Sequence, residues 1–506
     1  MRLEQKKGLL EVIRMFYELH QEVKKSIQKK DEALATELLT QCQQRAEELG
    51  NAIESILREG AEPVPALEAY CEHAYQISTQ IRYMDAAVCR SQLDQSIQKA
   101  ERCLEALPCE KLKAVFLPYK ASMWTSFESI YQCAAADPDC QATVVPIPYY
   151  EIGEALKEPV MRYEGDQLPA GGPIVSWEDY HLEQERPDMI FIHNPYDGGN
   201  NLTSVHPFYY SSNLKKYTRC LVYSPYFTFS RYTRGRSDGH YMTSGTMNAD
   251  KVIVQSEFVK KIYRSYGYPE EKLIALGSPK MDAVIRENAR PAEMPDAWAG
   301  KLAGKTVFLL NTHLSYFPTS SLYVNHYGFN YAQRYHEQLM KAVLNKPEYG
   351  VIWRPHPLLF TMLETRFPNC LAYVKDLEAR MEEADNCVID RSGDYRTAFA
   401  CSDAMITTYS SLLNEYMATG KPILIFQTKP SDAAAERSPV DLRTCYFKFK
   451  KDGGMPFPDF LSMVQRGEDP KREERMHMLR TKSFANLDGT AGEKIYARLK
   501  EQIMKL

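Results

Sequence analysis

The spacing of apolar residues changes character once, near residue 110. Before it, Leu9, Ile13, Phe16, His20, Val23 and Ile27 recur in steps of four and three, which lines them along one face of a helix. Leu34, Leu38, Leu49, Ile53 and Ile56 continue the stripe, and the stretch from Gly60 to Pro65 interrupts it. A second stretch carries Leu67, Tyr70, Ile77, Ile81, Val88 and Leu104. Charges of both signs fill the other faces. Residues 1–108 are therefore expected to form a helical hairpin or small bundle.

From Lys113 the pattern turns to short apolar runs. Ala114–Leu117, Ala142–Ile147, Asp188–Ile192, Cys220–Tyr223, Lys251–Val254 and Leu273–Leu276 read as strands, with helical stretches such as 122–136 and Glu257–Tyr266 between them. Such alternation implies βαβ units and a mostly parallel, doubly wound sheet. The charged, proline-bearing stretch Arg286–Gly304 reads as a linker. Strands then restart at Thr306–Leu310, around Val351, at Cys387–Ile389, at Ala404 and at Pro422–Phe426, and Lys471–Leu506 reads as terminal helices. The expected fold class is α/β: two Rossmann-like doubly wound domains, residues 109–290 and 303–506, facing a cleft and preceded by the helical region.

Composition narrows the function. The chain has 506 residues, 44% hydrophobic and 25% charged, with a formal net charge of −4, which argues against a whole-protein grip on nucleic acid. Twelve cysteines include no C-x-x-C pair, which points to reduced thiols and away from a zinc ribbon or a disulfide scaffold. No metal and no cofactor is expected. No apolar run reaches membrane-spanning length, and Met1–Gly8 lacks the apolar core of a signal peptide, so a cytoplasmic protein is expected. Lys24, Lys25, Lys29 and Lys30 offer a basic surface for peripheral contact with the inner face of a cell membrane. The same helices offer a packing face for homo-oligomerisation. Tyrosines (33) outnumber phenylalanines (20), which suits amphipathic packing and also sugar or polyol surfaces.

The chemistry-bearing residues cluster at strand ends, where open α/β sheets bind their ligands. Arg354 and His356 alternate along an extended segment stiffened by Pro355 and Pro357, so both should point to one face. A guanidinium fork and an imidazole suit a phosphate. Thr407, Thr408, Ser410 and Ser411 gather hydroxyls around the start of a helix that runs to Gly420, a place that favours anions. Glu415 follows one turn beyond Ser411, where its carboxylate could accept from ribose hydroxyls. His193, Asp197 and Ser278 lie at strand ends of the first domain, with His206 in the same long loop as His193, and His313 ends the first strand of the second domain.

This combination resembles the CDP-glycerol glycerophosphotransferase family, the teichoic-acid primases and polymerases. The residues that carry the resemblance are Trp353–Pro357, Ser402–Ser411, Lys421-Pro422-Ile423 and Leu276–Asp282, within about residues 185–430. The resemblance implies a GT-B fold with the donor held mainly by the C-terminal domain. It implies transfer of glycerol phosphate from CDP-glycerol, or of a related polyol phosphate, to a hydroxyl of a polymer or lipid-linked acceptor, with release of CMP. His356 and Arg354 match the family's Arg-x-His-Pro motif, and Ser410 and Ser411 match the serines that hold the donor phosphates.

Two positions depart from the family pattern. Thr408 stands where an aspartate usually precedes Tyr-Ser-Ser. The first-domain Trp-His-Gly-Thr motif has no counterpart, its strand end being Tyr223-Ser224-Pro225-Tyr226. The acceptor-activating base must come from elsewhere, and His193 or Asp197 is the favoured candidate. The same architecture also serves nucleotide-sugar glycosyltransferases and epimerases, and the two departures also fit a non-catalytic nucleotide-binding scaffold.

Overall fold

A computed structural model describes residues 1–57, 59–152, 158–168, 172–200, 203–235, 238–313, 329–344, 346–357, 359–366, 368–426, 429–448 and 454–504. The chain divides into two compact units, one helical over residues 1–112 and one α/β over most of residues 113–503.

In the helical unit, α1 (Leu3–Gln28), α2 (Glu32–Ile56), α3 (Pro63–Gln80) and α4 (Ala86–Ala106) form a four-helix bundle. Both α1 and α3 pack on α2 and on α4. Leu9, Ile13, Phe16, His20 and Val23 are buried, as their spacing requires. The other helices correct the expected stripe. The buried row of α2 is Ala35, Leu39, Cys42, Ala46, Leu49 and Ile53, while Leu34 is 42% exposed. In α4 it is Cys89 that is buried, and Val88 is 49% exposed. Small alanine and cysteine side chains mark the contact faces here, and a search for large apolar residues passes over them. His20 is accommodated in the core because both ring nitrogens are satisfied, at 2.7 Å by Asp94 Oδ1 and at 2.7 Å by the Tyr70 hydroxyl.

The α/β unit holds two six-stranded sheets whose registered pairs are all parallel. The strands of the first are β1 (Leu112–Leu117), β2 (Cys140–Val144), β5 (Met189–Ile192), β7 (Cys220–Tyr223), β8 (Lys251–Ile253) and β9 (Leu273–Ile274), in the order β2-β1-β5-β7-β8-β9. The second contains β10 (Thr306–Thr312), β11 (Tyr349–Pro355), β12 (Cys387–Ile389), β13 (Ala404–Thr407), β14 (Ile423–Ile425) and β15 (Tyr446–Phe447), in the order β12-β11-β10-β13-β14-β15. Each sheet reverses its winding once, between β1 and β5 and between β10 and β13. Ligands of doubly wound sheets bind at such switch points.

Two elements and the docking of an expected terminal helix go beyond the sequence pattern. A small antiparallel sheet joins β3 (Tyr149–Glu151), β4 (Val160–Arg162) and β6 (Thr203–Val205), with strands too short to show a period. The expected linker 286–304 holds the end of the helix Pro279–Asn288 and all of the helix Asp296–Leu302. The terminal helix Ala491–Met504 returns to the first sheet's flank. There the Ala491 and Gly492 N–H groups donate to Asp282 at 3.1 and 2.7 Å, and the Tyr496 hydroxyl donates to Asp137 at 2.6 Å. Among the described residues no helix is long and apolar enough to cross a membrane.

Candidate active site

Strand β10 lies between β11 and β13, and its Asn311 pairs in register with Arg354 on one side and Thr407 on the other. A polar side chain in this apolar strand must be fully satisfied, and Asn311 is. Its Nδ2 donates to the Arg354 carbonyl at 3.0 Å. Its Oδ1 faces the Thr407 hydroxyl at 3.1 Å and the Ser410 hydroxyl at 3.3 Å. One buried amide thus ties together the two segments singled out from the sequence.

The hydroxyl row is more structural than its composition suggests. Ser410 is the N-cap of the helix Ser411–Met417, and its Oγ accepts the Leu413 N–H at 3.3 Å. A serine has one proton, and that of Ser410 points at Asn311. Among the described residues the Thr407 hydroxyl has Asn311 Oδ1 and the Thr408 carbonyl, at 3.0 Å, within reach, and Thr407 and Thr408 are both buried. The side chain of Ser411 lies outside the described residues.

His356 continues the β10–β11 ladder, its N–H donating to the Thr312 carbonyl at 2.9 Å. Its ring meets that of His313 edge to face, with centroids 5.1 Å apart and planes at 85°. Burial, the His313 ring and the Lys120 ammonium together push the His356 pKa down to about 4, and burial lowers that of His313. Both imidazoles are therefore neutral near pH 7.

Arg354 departs from the expected guanidinium–imidazole pair. Its guanidinium ion-pairs with Asp390 and donates to Ser392 Oγ at 3.2 Å, to the Ser392 carbonyl at 2.8 Å and to the Asp394 carbonyl at 3.5 Å. It organises the loop after β12. Beside that loop a cavity of about 410 Å³ opens between residues 392–396 and the first domain's Ala121, Ser122, Trp124, Thr125, Glu164 and Gln167. Larger hollows of about 580 and 520 Å³ lie between bundle helices, where no comparable set of strand-end groups converges.

The first-domain candidates are placed as braces. His193 is buried, with Nε2 accepting the Tyr119 N–H at 3.2 Å and Nδ1 3.1 Å from Ser126 Oγ. Its ring stacks on Phe127 at 4.7 Å. Burial first, then Lys280, brings its pKa down to about 3. Asp197, at φ +51°, turns its carboxylate to the Ser211 N–H at 2.9 Å and the Ser211 hydroxyl at 2.7 Å. His206 accepts the Phe208 N–H at 3.3 Å, and Tyr223 is fully buried. Ser278 is the buried N-cap position of the helix Pro279–Asn288. Among the described residues, both His193 ring nitrogens and both Asp197 carboxylate oxygens are engaged in holding a turn.

Glu415 is also not the solvent-facing carboxylate expected for ribose. It is 2% exposed and pairs with Lys280 of the first domain at 3.3 Å. Next to it, Asn414 Nδ2 donates to Thr228 Oγ1 at 3.1 Å. Sequence reasoning missed Asn311, Asp390 and Lys120, and gave Lys280, within the Leu276–Asp282 segment, no role of its own. The available signal was a polar residue inside or just past an apolar run, as in Val307-Phe308-Leu309-Leu310-Asn311.

The model of the family CDP-glycerol:poly(glycerophosphate) glycerophosphotransferase matches residues 229–501, more than half of the chain. The chain belongs to this family of transferases. No curated protein matches it. Among solved structures, a protein described as a UDP-N-acetylglucosamine 2-epimerase from Listeria monocytogenes is 12% identical, over 78% of this chain and 98% of its own, with a TM-score of 0.51. The wall teichoic acid polymerase TagF is 15% identical over 87% of this chain and 98% of its own, with a TM-score of 0.47. The first likeness speaks to the fold alone, a GT-B-like pair of Rossmann-like domains.

Proposed function

We propose that the protein transfers glycerol phosphate, or a related polyol phosphate, from CDP-glycerol or a related CDP-polyol to an acceptor hydroxyl in the synthesis of a teichoic-acid-like surface polymer. The acceptor is a polymer or a lipid-linked primer, met at the inner face of the cell membrane. The observation that carries the reading is the pair of neutral imidazoles, His356 and His313, at the switch-point edge of the second sheet in a chain of this family.

The acceptor oxygen attacks the phosphorus that bears the glycerol. A new O–P bond forms, the bond from that phosphorus to the bridging oxygen breaks, and CMP leaves with the electron pair. The hydroxyl proton passes to an imidazole nitrogen, for which His313 or His356 replaces the buried His193. An arriving diphosphate raises the basicity of both rings by its charge, moving them toward a useful range near neutrality. The other imidazole donates to a phosphate oxygen, where placed donors supply much of the rate. Arg354 acts by fixing the loop 390–394 beside the nucleotide, and Asn311 holds the strand ends in place. Glu415 reaches ribose hydroxyls by exchanging its contact with Lys280.

The test follows CMP release from CDP-glycerol, with UDP-N-acetylglucosamine as a parallel substrate, using purified protein and a glycerol-phosphate primer. His356→Ala should abolish most turnover while leaving the fold intact. Wild-type-like turnover in that variant, or reaction with the UDP-sugar alone, would remove the reading.

A further inference from the structure

The mechanism above leaves the Lys120 ammonium unused. Lys120 follows β1 by way of Pro118 and Tyr119, at the point where the first sheet reverses its winding. It is half-buried, with its ammonium 4.8 Å from the centroid of the Tyr149 ring. That ring is itself fixed. The Tyr149 hydroxyl donates to Glu164 Oε1 at 2.6 Å, and Glu164 Oε2 accepts the Ala121 N–H at 2.9 Å. Glu164 thus clamps the turn and the platform under Lys120 without pairing with the ammonium. Among the described residues, the Lys120 ammonium has no ion pair and no hydrogen bond.

Burial disfavours the Lys120 charge, and the Glu164 and Glu151 carboxylates that favour it make no ion pair with it, an arrangement that an arriving anion would complete. Its position says what that is. The Lys120 charge falls on His356 of the opposite domain, and it is the one fixed cation among the groups that oppose His356 protonation. A diphosphate lying between the two switch points would meet an imidazole from the second sheet and an ammonium from the first. We propose that Lys120 is a donor-binding residue that contacts the phosphate oxygens of the nucleoside diphosphate opposite His356. The proposal rests on the CDP-donor reading above. The bland competitor is a lysine whose stem covers Tyr149 while its head reaches solvent, and the two differ in how affinity depends on ligand charge.

The test is calorimetric titration of the full chain with cytidine, CMP and CDP at low and raised salt. It compares wild type, Lys120→Met, Lys120→Arg and the control Lys113→Ala, whose ammonium pairs with Glu185 away from the strand end. Lys120→Met should leave cytidine binding unchanged, weaken CDP by about tenfold or more and CMP by less, and flatten the salt dependence of CDP binding. Lys120→Arg should keep most of the CDP affinity, and Lys113→Ala all of it. Removing the charge should also raise the His356 pKa, as read by NMR titration of the ring. CDP affinity within about twofold of wild type in Lys120→Met, with wild type binding CDP well, would overturn the Lys120 assignment alone. Failure of wild type to bind either CMP or CDP would instead remove the donor reading, and this inference with it.

Discussion

Ser410 aims its only proton at Asn311. The hydroxyl oxygen stands 3.3 Å from the Asn311 amide oxygen while accepting the Leu413 N–H at 3.3 Å. A residue that resembles a phosphate donor is therefore a strut between β10 and the helix that follows β13. Asn311→Ala should strip partners from Ser410 and from the Arg354 carbonyl and cost about 1–3 kcal/mol in urea unfolding. Ser410→Ala removes only the cap and should cost about 1 kcal/mol. An unmoved unfolding midpoint in Asn311→Ala would show that the amide is not the strut.

His193 offers the clearest separation of a brace from a base. Both of its nitrogens are occupied and its ring lies flat on Phe127. His193→Gln should lower the melting temperature, while the folded fraction releases CMP at close to the wild-type rate. Collapse of turnover at unchanged melting temperature would return the base to His193.

What the sequence disclosed follows from length scales. The alternation of strands and helices is a local pattern, so both sheets and nearly all their strands could be read from it. Trp353–Pro357 and Ala404–Ser411 were recognisable because their residues are adjacent in the chain. Partnerships across the chain were not legible. Nothing local links Lys280 to Glu415, Arg354 to Asp390 or Asn311 to Ser410, and those pairings decide which polar groups remain free for a ligand. The bundle stripe failed at Leu34 and Val88 for another reason. Its contact faces use alanine and cysteine, whose side chains carry a weak periodic signal.

Acid should weaken the fold through its buried imidazoles. The pKa values of His356 and His336 fall to about 4 and that of His193 to about 3, all from the ordinary 6.5. Because the folded values lie below the unfolded one, each ring contributes stability that is complete above about pH 6.5. That contribution is lost as the pH falls toward the folded value. Urea midpoints should drop between pH 7 and pH 4.5, and His356→Asn should drop less steeply than wild type. Parallel slopes for the two proteins would mean that His356 is solvated and titrates normally.

The Lys280–Glu415 pair joins the helix Pro279–Asn288 to the helix behind Ser410, with both side chains at 5% exposure or less. Removing one member of a buried pair strands the other charge, whereas replacing both with apolar groups of similar size is often neutral. Lys280→Met alone should cost about 3–5 kcal/mol, and Glu415→Leu alone should be comparably harmful because it leaves the ammonium buried. The double variant should recover most of that loss in urea unfolding. Nucleotide binding should respond differently, because a site that takes ribose through Glu415 cannot be restored by packing. The double variant should therefore be stable and still bind CMP weakly. Wild-type CMP affinity in the double variant would confine this pair to holding the two domains together.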